Sequence, residues 1–421
     1  MKNNFLFIVL LLVIISSCSS TKTIENEFAK QSNDNNYFRG LVVYNPEADK
    51  VLINDNGNKY FIPASNTKLF TFYSSYLTFK DSVVGLKYKE TKDSLIICGT
   101  ADPSFLYGFK ENKTLDFLKS KKQNIYLLDK NIDEDYYGLG WSWDDYFYDY
   151  MPEKNSFPMY GNLMNLSKRG DSILALPNFF IQNIKINDKI KLRREYDKNN
   201  FYVNSGTEII ERKIPFKTSN QLVADLLSDE IGKKVVLIPY ENTHIFKVLH
   251  SVKYDSLYKK MLVDSDNFIA EQLMLQVGNE VGGVYSVAKS IDYSLKNYFQ
   301  EIPQKPRWVD GSGLSRYNLF TPESFVYLLT KMYREIPTKK LFSYFPVGGF
   351  SGVIKDETKN GEVTIFAKSG TLSNNYNLSG YLITKKGTLL IFSYMNNHYQ
   401  GNSSDRKKEM EVFFIKLYLN F

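Results

Sequence analysis

The chain has 421 residues, 43% of them hydrophobic and 15% aromatic, which is enough apolar surface for one large core or two to three smaller ones and excludes a disordered chain. Its net charge of +7 comes from 53 basic and 46 acidic residues spread over the whole length. Without a clustered basic stripe this argues against nucleic acid as a partner; diffuse lysines are ordinarily solvated surface.

The N-terminus is the first informative segment. Lys2 precedes the apolar run Phe5 to Ile15, and Ile15-Ser16-Ser17-Cys18 follows. The run is well short of the roughly twenty residues needed to span a bilayer, so residues 1–18 are expected to be a cleaved signal sequence ending in a lipobox, with Cys18 acylated. Residues 19–36, rich in Ser, Thr, Asn, Lys and Glu, read as a flexible tether. With Cys18 lipidated, Cys98 is the one thiol left, so no intrachain disulfide is expected. Following Leu95-Ile96-Ile97, it reads as a small buried packing residue.

Residues 38–44, 51–53 and 59–62 read as strands separated by turn-forming NPEADK and NDNGN. Pro63-Ala64-Ser65 breaks that pattern, and Asn66 to Phe79 has helical spacing, so a helix is expected to start at the serine. Residues 81–245 change to short strand-like runs and loops, including Trp141-Ser142-Trp143-Asp144-Asp145-Tyr146, and read as an inserted domain. Helical spacing returns at Tyr254 to Leu262 and Asn267 to Val277, leaving Asp264-Ser265-Asp266 as a corner. Thr321-Pro322-Glu323 is a helix start, with Thr as N-cap, Pro at the first position and an acid in the first turn. Val363 to Lys368 alternates as a strand, Leu378–Ile383 and Thr388–Tyr394 flank a hairpin turn, and Met410 to Leu419 closes the chain as a helix. Strands at both ends of the sequence predict one sheet assembled from both termini.

Three short motifs stand in order: Ser65-Asn66-Thr67-Lys68, Ser265-Asp266-Asn267 and Lys368-Ser369-Gly370. S-x-x-K also occurs at Ser19, Ser256, Ser286 and Ser404, so alone it specifies nothing. Ser65 differs in lying where a strand pattern gives way to a helix. Residues three apart on a helix share a face, which brings the Lys68 amine to the Ser65 hydroxyl. A serine needs a base, and an amine can serve only if burial or a second cation strips its proton; Lys368 is the candidate cation. Ser265 and Asn267 are candidates to relay a proton to the leaving amine and to hold Lys68 and the substrate amide. Gly370 would let a substrate backbone approach the strand. The N–H groups of Ser65 and Thr371 are candidates for an oxyanion hole.

The ordered triple of S-x-x-K, S-D-N and a K-T-G variant is the signature of penicillin-binding proteins and class A β-lactamases. The chain resembles more specifically the D-alanyl-D-alanine carboxypeptidase/endopeptidase family, the class C low-molecular-mass penicillin-binding proteins of serine peptidase family 13. The likeness extends over nearly the whole mature chain, through Pro63-Ala64-Ser65-Asn66-Thr67-Lys68-Leu69, Gly99-Thr100-Ala101-Asp102-Pro103-Ser104, Gly140-Trp141-Ser142-Trp143-Asp144-Asp145, Asp310-Gly311-Ser312-Gly313-Leu314-Ser315-Arg316-Tyr317-Asn318 and Pro346-Val347-Gly348-Gly349. The resemblance implies an α+β fold, a transpeptidase/β-lactamase-like domain of antiparallel sheet and helices made of residues 37–80 and 246–421, interrupted by the domain at 81–245. It implies cleavage of peptidoglycan peptides through an acyl-enzyme on Ser65, acylation by β-lactams, no cofactor and no metal, and a periplasmic or cell-envelope lipoprotein held to the membrane through Cys18. It further implies that Asp144 and Arg316 bind the zwitterionic end of a diaminopimelate side chain. Ser369 stands where the family usually has Thr and keeps the hydroxyl expected to bind the substrate carboxylate.

Other chemistries have less support. His244, His250 and His398 do not have metal-ligand spacing. No G-x-S-x-G elbow serves a Ser-His-Asp hydrolase, and no E-x-x-L-N segment serves a β-lactamase. A silent wall-binding or β-lactam-sensing lipoprotein would not need Ser65, Lys68, Ser265, Asn267 and Lys368 together.

Overall fold

In the computed structural model, the apolar run after Tyr37 forms β1 (Phe38–Asn45), which turns back into β2 (Lys50–Asp55) with a bulge between Val43 and Tyr44. The structure describes residues 36–110, 113–240, 246–346 and 364–421. Cys18 with its leader, the tether up to residue 35, His244, Val347-Gly348-Gly349 and Val363 lie outside the described residues. The expected strand at 59–62 is reduced to a single bridge between Phe61 and Phe320. The chain then enters a 3-10 turn, Ala64–Thr67, which runs into α1 (Lys68–Thr78). It divides into two units: one holds the residues up to Phe70 with Glu301–Trp308 and Arg316–Phe421, the other Thr71–Gln300 with Val309–Ser315.

In the second unit β3 (Ser82–Glu90) and β4 (Ser94–Cys98) are antiparallel, and α2 (Lys113–Ser120) leads to β5 (Asn124–Asp129), parallel to β4. Two three-stranded sheets follow, built from β6 (Leu163–Arg169), β7 (Ser172–Leu176), β8 (Ile184–Ile186), β9 (Leu192–Arg194), β10 (Phe201–Val203) and β11 (Ile209–Pro215), in the orders β11-β6-β7 and β8-β10-β9. Helix α3 (Asn220–Ile231), capped by Ser219 at its start and by left-handed Gly232 at its end, returns the chain to β12 (Val235–Pro239), parallel to β5. With β13 (Lys247–Lys253) the first sheet becomes β12-β5-β4-β3-β13. Its parallel pairs go beyond the short strands and loops expected here; they form because α2 and α3 supply the crossovers that parallel strands need. One core of Leu86, Leu95, Ile97, Leu127, Phe157, Phe180, Phe216 and Leu227 joins sheet and helices. Cys98 is buried as expected, and burial pushes its thiol above the ordinary value.

The same unit continues with α4 (Tyr254–Val263), α5 (Asn267–Gly282) and α6 (Val287–Asn297). Helix α5 is buried continuously from Phe268 to Gly278, which includes the polar residues Glu271, Gln272 and Gln276. Buried polar groups require partners. Gln272 donates to Ala101 O and Asn155 O, and Gln276 to Thr100 O, so the Gly99–Ser104 segment is tied to α5.

The first unit resumes with α7 (Pro322–Glu335) and α8 (Thr338–Ser343). Thr321 caps α7 as expected, its hydroxyl accepting from Ser324 N at 3.0 Å. Three long strands, β14 (Thr364–Leu372), β15 (Asn375–Ile383) and β16 (Leu389–Asn397), precede α9 (Ser403–Asn420). They join the N-terminal hairpin in an antiparallel sheet of order β14-β15-β16-β1-β2, the sheet from both termini that the sequence predicts. Met410, Phe413, Phe414 and Leu417 of α9 pack with Leu41, Val43, Leu390, Phe392 and Tyr394 of the sheet.

Candidate active site

The first unit brings Ser65, Lys68 and Lys368 together. Pro63 fixes the chain's approach, and Ala64 takes a left-handed conformation with φ +49°, unusual for a residue with a Cβ. That bend opens the 3-10 turn Ala64–Thr67, in which Ser65 is half-buried while its neighbours Ala64, Asn66 and Thr67 are buried. Strain of this kind persists only where the surroundings over-determine it. They do so here through the sheet. Asn66 donates its amide to Ser379 Oγ at 2.8 Å, and Asn377 and Asn397 both donate to Ile62 O, while Ile62 N donates to Asn397 Oδ1 at 2.6 Å. Ser379 in turn is hydrogen-bonded to Ser393 across the sheet.

Lys68 is fully buried and its Nζ donates to Ser65 Oγ at 2.9 Å, the contact that a three-residue spacing on a helix predicts. Lys368, on β14 opposite Ser379, is 2% exposed and donates to Ser369 O at 2.8 Å. Burial pushes the Lys368 ammonium well below its ordinary value, and the charge of Lys68 pushes the same way. A second buried cation close enough to act on Lys368 disfavours holding two protons on the pair at once.

Strand β14 is at the edge of its sheet, with Ser369, Gly370 and Thr371 in register with Leu378, Asn377 and Tyr376. Gly370 has a reason to be glycine inside the protein. A Cβ there would meet Pro63 O at 2.3 Å and Asn66 N at 3.0 Å, so the Ser65 turn can lie against β14 only because that side chain is missing. Thr371 is exposed on the same edge.

In the second unit, Ser265 is in the corner between α4 and α5, as the sequence predicts, and adopts a left-handed φ of +57°. Asp266 caps α5 by accepting from Ile269 N at 2.9 Å, and also accepts from Tyr107 Oη. Asn267 donates its amide to Tyr150 O at 2.8 Å. Asp144 is exposed on the 3-10 turn Trp143–Phe147. Back in the first unit, Arg316 is exposed at the start of the segment leading to the Phe320 bridge.

Sequence reasoning missed the asparagine and serine ladder that holds the Ser65 turn. A signal was available: Asn377, Ser379 and Asn397 are poor strand formers inside strand-like runs, and each side chain has a partner in the ladder.

A family model described as the D-Ala-D-Ala carboxypeptidase 3 (S13) family matches residues 21–175 and 182–417. Among characterised proteins, the chain is 24% identical to a D-alanyl-D-alanine carboxypeptidase of Haemophilus influenzae over 88% of this chain and 87% of that one. It is 23% identical to a penicillin-sensitive carboxypeptidase of Dictyostelium discoideum over 82% of this chain and 79% of the other. Among solved structures, penicillin-binding protein 4 of Haemophilus influenzae superimposes with a TM-score of 0.73 at 20% identity, covering 90% of this chain and 96% of that one. The same protein complexed with a β-lactam gives a TM-score of 0.68 at 18% identity, covering 91% and 96%.

Proposed function

Because the chain belongs to the D-Ala-D-Ala carboxypeptidase 3 (S13) family and is a hydrolase of that type, we propose that it cleaves the D-Ala-D-Ala end or cross-bridge of peptidoglycan peptides through an acyl-enzyme on Ser65, and that β-lactams acylate the same oxygen. The observation that carries this reading is the 2.9 Å contact between a half-exposed serine and a fully buried lysine, beside a second buried lysine. In the reaction, Lys68 Nζ takes the proton as Ser65 Oγ attacks the carbonyl carbon of the penultimate D-Ala. The N–H groups of Ser65 and Thr371 stabilise the oxyanion. The peptide C–N bond breaks, the leaving amine receives a proton by way of Ser265, and water hydrolyses the ester by the reverse proton path. Asn267 holds the substrate amide, and Ser369 the terminal carboxylate. The motif order supports the roles of Ser265 and Asn267. Residues 81–245 are read as an insertion into this enzyme.

Digestion of purified muropeptides followed by mass analysis tests the proposal. Loss of one D-Ala per peptide, or conversion of cross-linked dimers to monomers, is the expected product, and unaltered muropeptides would overturn it.

Asp144 and Arg316 are assigned to the far, zwitterionic end of a diaminopimelate side chain, an acid for its ammonium and a guanidinium for its carboxylate. Arg316→Ala should lower kcat/KM on diaminopimelate-containing peptides by about ten to a hundredfold while barely changing acylation by a simple penicillin. Equal loss on both substrates, with a lower Tm, would make Arg316 a structural residue instead.

Cys18 is proposed as the lipid anchor, on the strength of the Ile15-Ser16-Ser17-Cys18 lipobox. Cys18→Ala should move the protein from the membrane fraction to the soluble fraction of the envelope, whereas unchanged sedimentation with membranes would reject acylation there.

A further inference from the structure

The Asp310–Ser315 segment carries no part of the chemistry proposed above, yet within the second unit it is tied to three motif-bearing segments. Thr71, one turn after Lys68 on α1, donates its hydroxyl to Gly311 O at 2.6 Å. Trp141 donates its indole N–H to Asp310 Oδ2 at 2.9 Å, which holds the Trp-Ser-Trp-Asp-Asp segment. Helix α5 approaches so closely that a Cβ on Gly311 would meet Ala270 O at 2.8 Å and Met274 Cγ at 2.9 Å.

Two buried carboxyl groups organise this segment. Asp310 accepts from Gly313 N at 2.9 Å, from Ser315 N at 2.6 Å and from Ser312 Oγ at 3.5 Å. Glu271, one turn after Asn267 on α5, accepts from Ser312 N at 2.7 Å through Oε1. Its Oε2 is buried without a hydrogen-bond partner among the described residues. Both carboxyl groups therefore converge on Ser312, at 1% exposure each.

We propose that Glu271 is a positioning residue for the reaction, holding the Asp310–Ser315 segment to α5 in its neutral, protonated form. The inference rests on the D,D-peptidase reading of the protein. Burial, and next the charge of Asp310, push the Glu271 carboxyl up to about 7, with Lys154 as the cation pulling the other way. Lys154 is itself paired with Glu134 and lies 5.8 Å from the Trp141 ring, so it does not serve Glu271 alone. An unpartnered oxygen in an apolar helix interface costs far less as part of a neutral carboxyl than as part of an ion. Once Glu271 ionises beside Asp310, two negative charges share one buried loop and the segment loosens.

Between about 4.5, the value of a free Glu, and about 7, the folded chain holds a proton that the unfolded chain has lost. The contribution of Glu271 to stability should therefore fall as pH rises through that window and level off above it, and it is read as the difference between the wild type and Glu271→Gln.

The experiment compares the wild-type chain, Glu271→Gln and Glu271→Ala, following acylation by a fluorescent penicillin and Tm from pH 5 to 9. A glutamine keeps an oxygen for Ser312 N and cannot ionise. Glu271→Gln should retain acylation within about threefold below pH 7, lose the wild-type decline in rate above pH 7, and show a flatter Tm between pH 5 and 7. Glu271→Ala should lose at least about tenfold in rate at every pH. Superimposable pH profiles for wild type and Glu271→Gln, or equal damage from Gln and Ala, would overturn the proposal. Should neither variant fold, carbon-13 NMR titration of the Glu271 carboxyl in the wild type decides: a carboxyl already ionised at pH 5 overturns it. A wild-type chain that folds with the expected Glu271 protonation but takes no penicillin would instead reject the D,D-peptidase reading.

Discussion

Ser65→Ala will abolish covalent labelling by a fluorescent penicillin and lower muropeptide turnover by at least about 10⁴-fold, because no second hydroxyl can form the ester. The effect should exceed that of any other single change because the ester forms on this oxygen, whereas loss of a base leaves the nucleophile in place. Fold integrity should be kept. Ser65 is half-buried and its hydroxyl accepts from Lys68, so alanine leaves a buried amine short of one partner and a modest fall in Tm is expected. The check is labelling on a gel together with mass analysis of the intact protein and a thermal melt. A penicilloyl adduct on folded Ser65→Ala would move the nucleophile elsewhere, and Ser256, Ser286 and Ser404 are the other S-x-x-K serines among the described residues.

Those alternatives show what was legible in the sequence. The string S-x-x-K did not distinguish Ser65; the change of periodicity around it did, since Pro63-Ala64 ends a strand pattern and α1 begins within three residues. The α-helix nevertheless starts at Lys68 and not at the serine, because the left-handed Ala64 forces a tight 3-10 turn first. Helical spacing cannot reveal such a bend, since it resides in one backbone angle. The sheet from both termini could be read because its strands alternate or run apolar over long stretches. The parallel pairing of β4, β5 and β12 could not, since a short buried strand looks the same in either direction. Gly370 was expected to make room for a substrate, whereas the structure shows it making room for Pro63 and Asn66. Glu271 is not legible as a site at all. On the sequence it is one acid in a helix start, and only the burial of α5 on all sides makes it a charge problem.

The lysine pair yields the second large effect. Lys68→Ala should lower acylation by about 10²–10⁴-fold, the usual contribution of a positioned general base, and Lys68→Arg should do no better, because a guanidinium does not release its proton at accessible pH. Lys368→Ala should behave differently. In the wild type, burial and Lys68 hold the Lys368 ammonium well below its ordinary value, so the pair gives up its first proton early. Whichever nitrogen loses it, the shared proton can pass to the other, and a neutral amine becomes available to Ser65. Without Lys368 no second charge helps to expel that proton, so the acid limb of the acylation profile should move to higher pH, with rate partly recovered in alkaline buffer. Stability supplies an independent sign. An amine depressed in the fold binds fewer protons folded than unfolded, so the Lys368 contribution to stability should rise with pH from the folded value up to about 10.5, and it is read as the difference between the wild type and Lys368→Met. An acid limb that stays in place in Lys368→Ala would show that Lys368 does not set the protonation of the base. The 2% exposed amine would then act on the substrate alone, as a fixed charge at the strand edge.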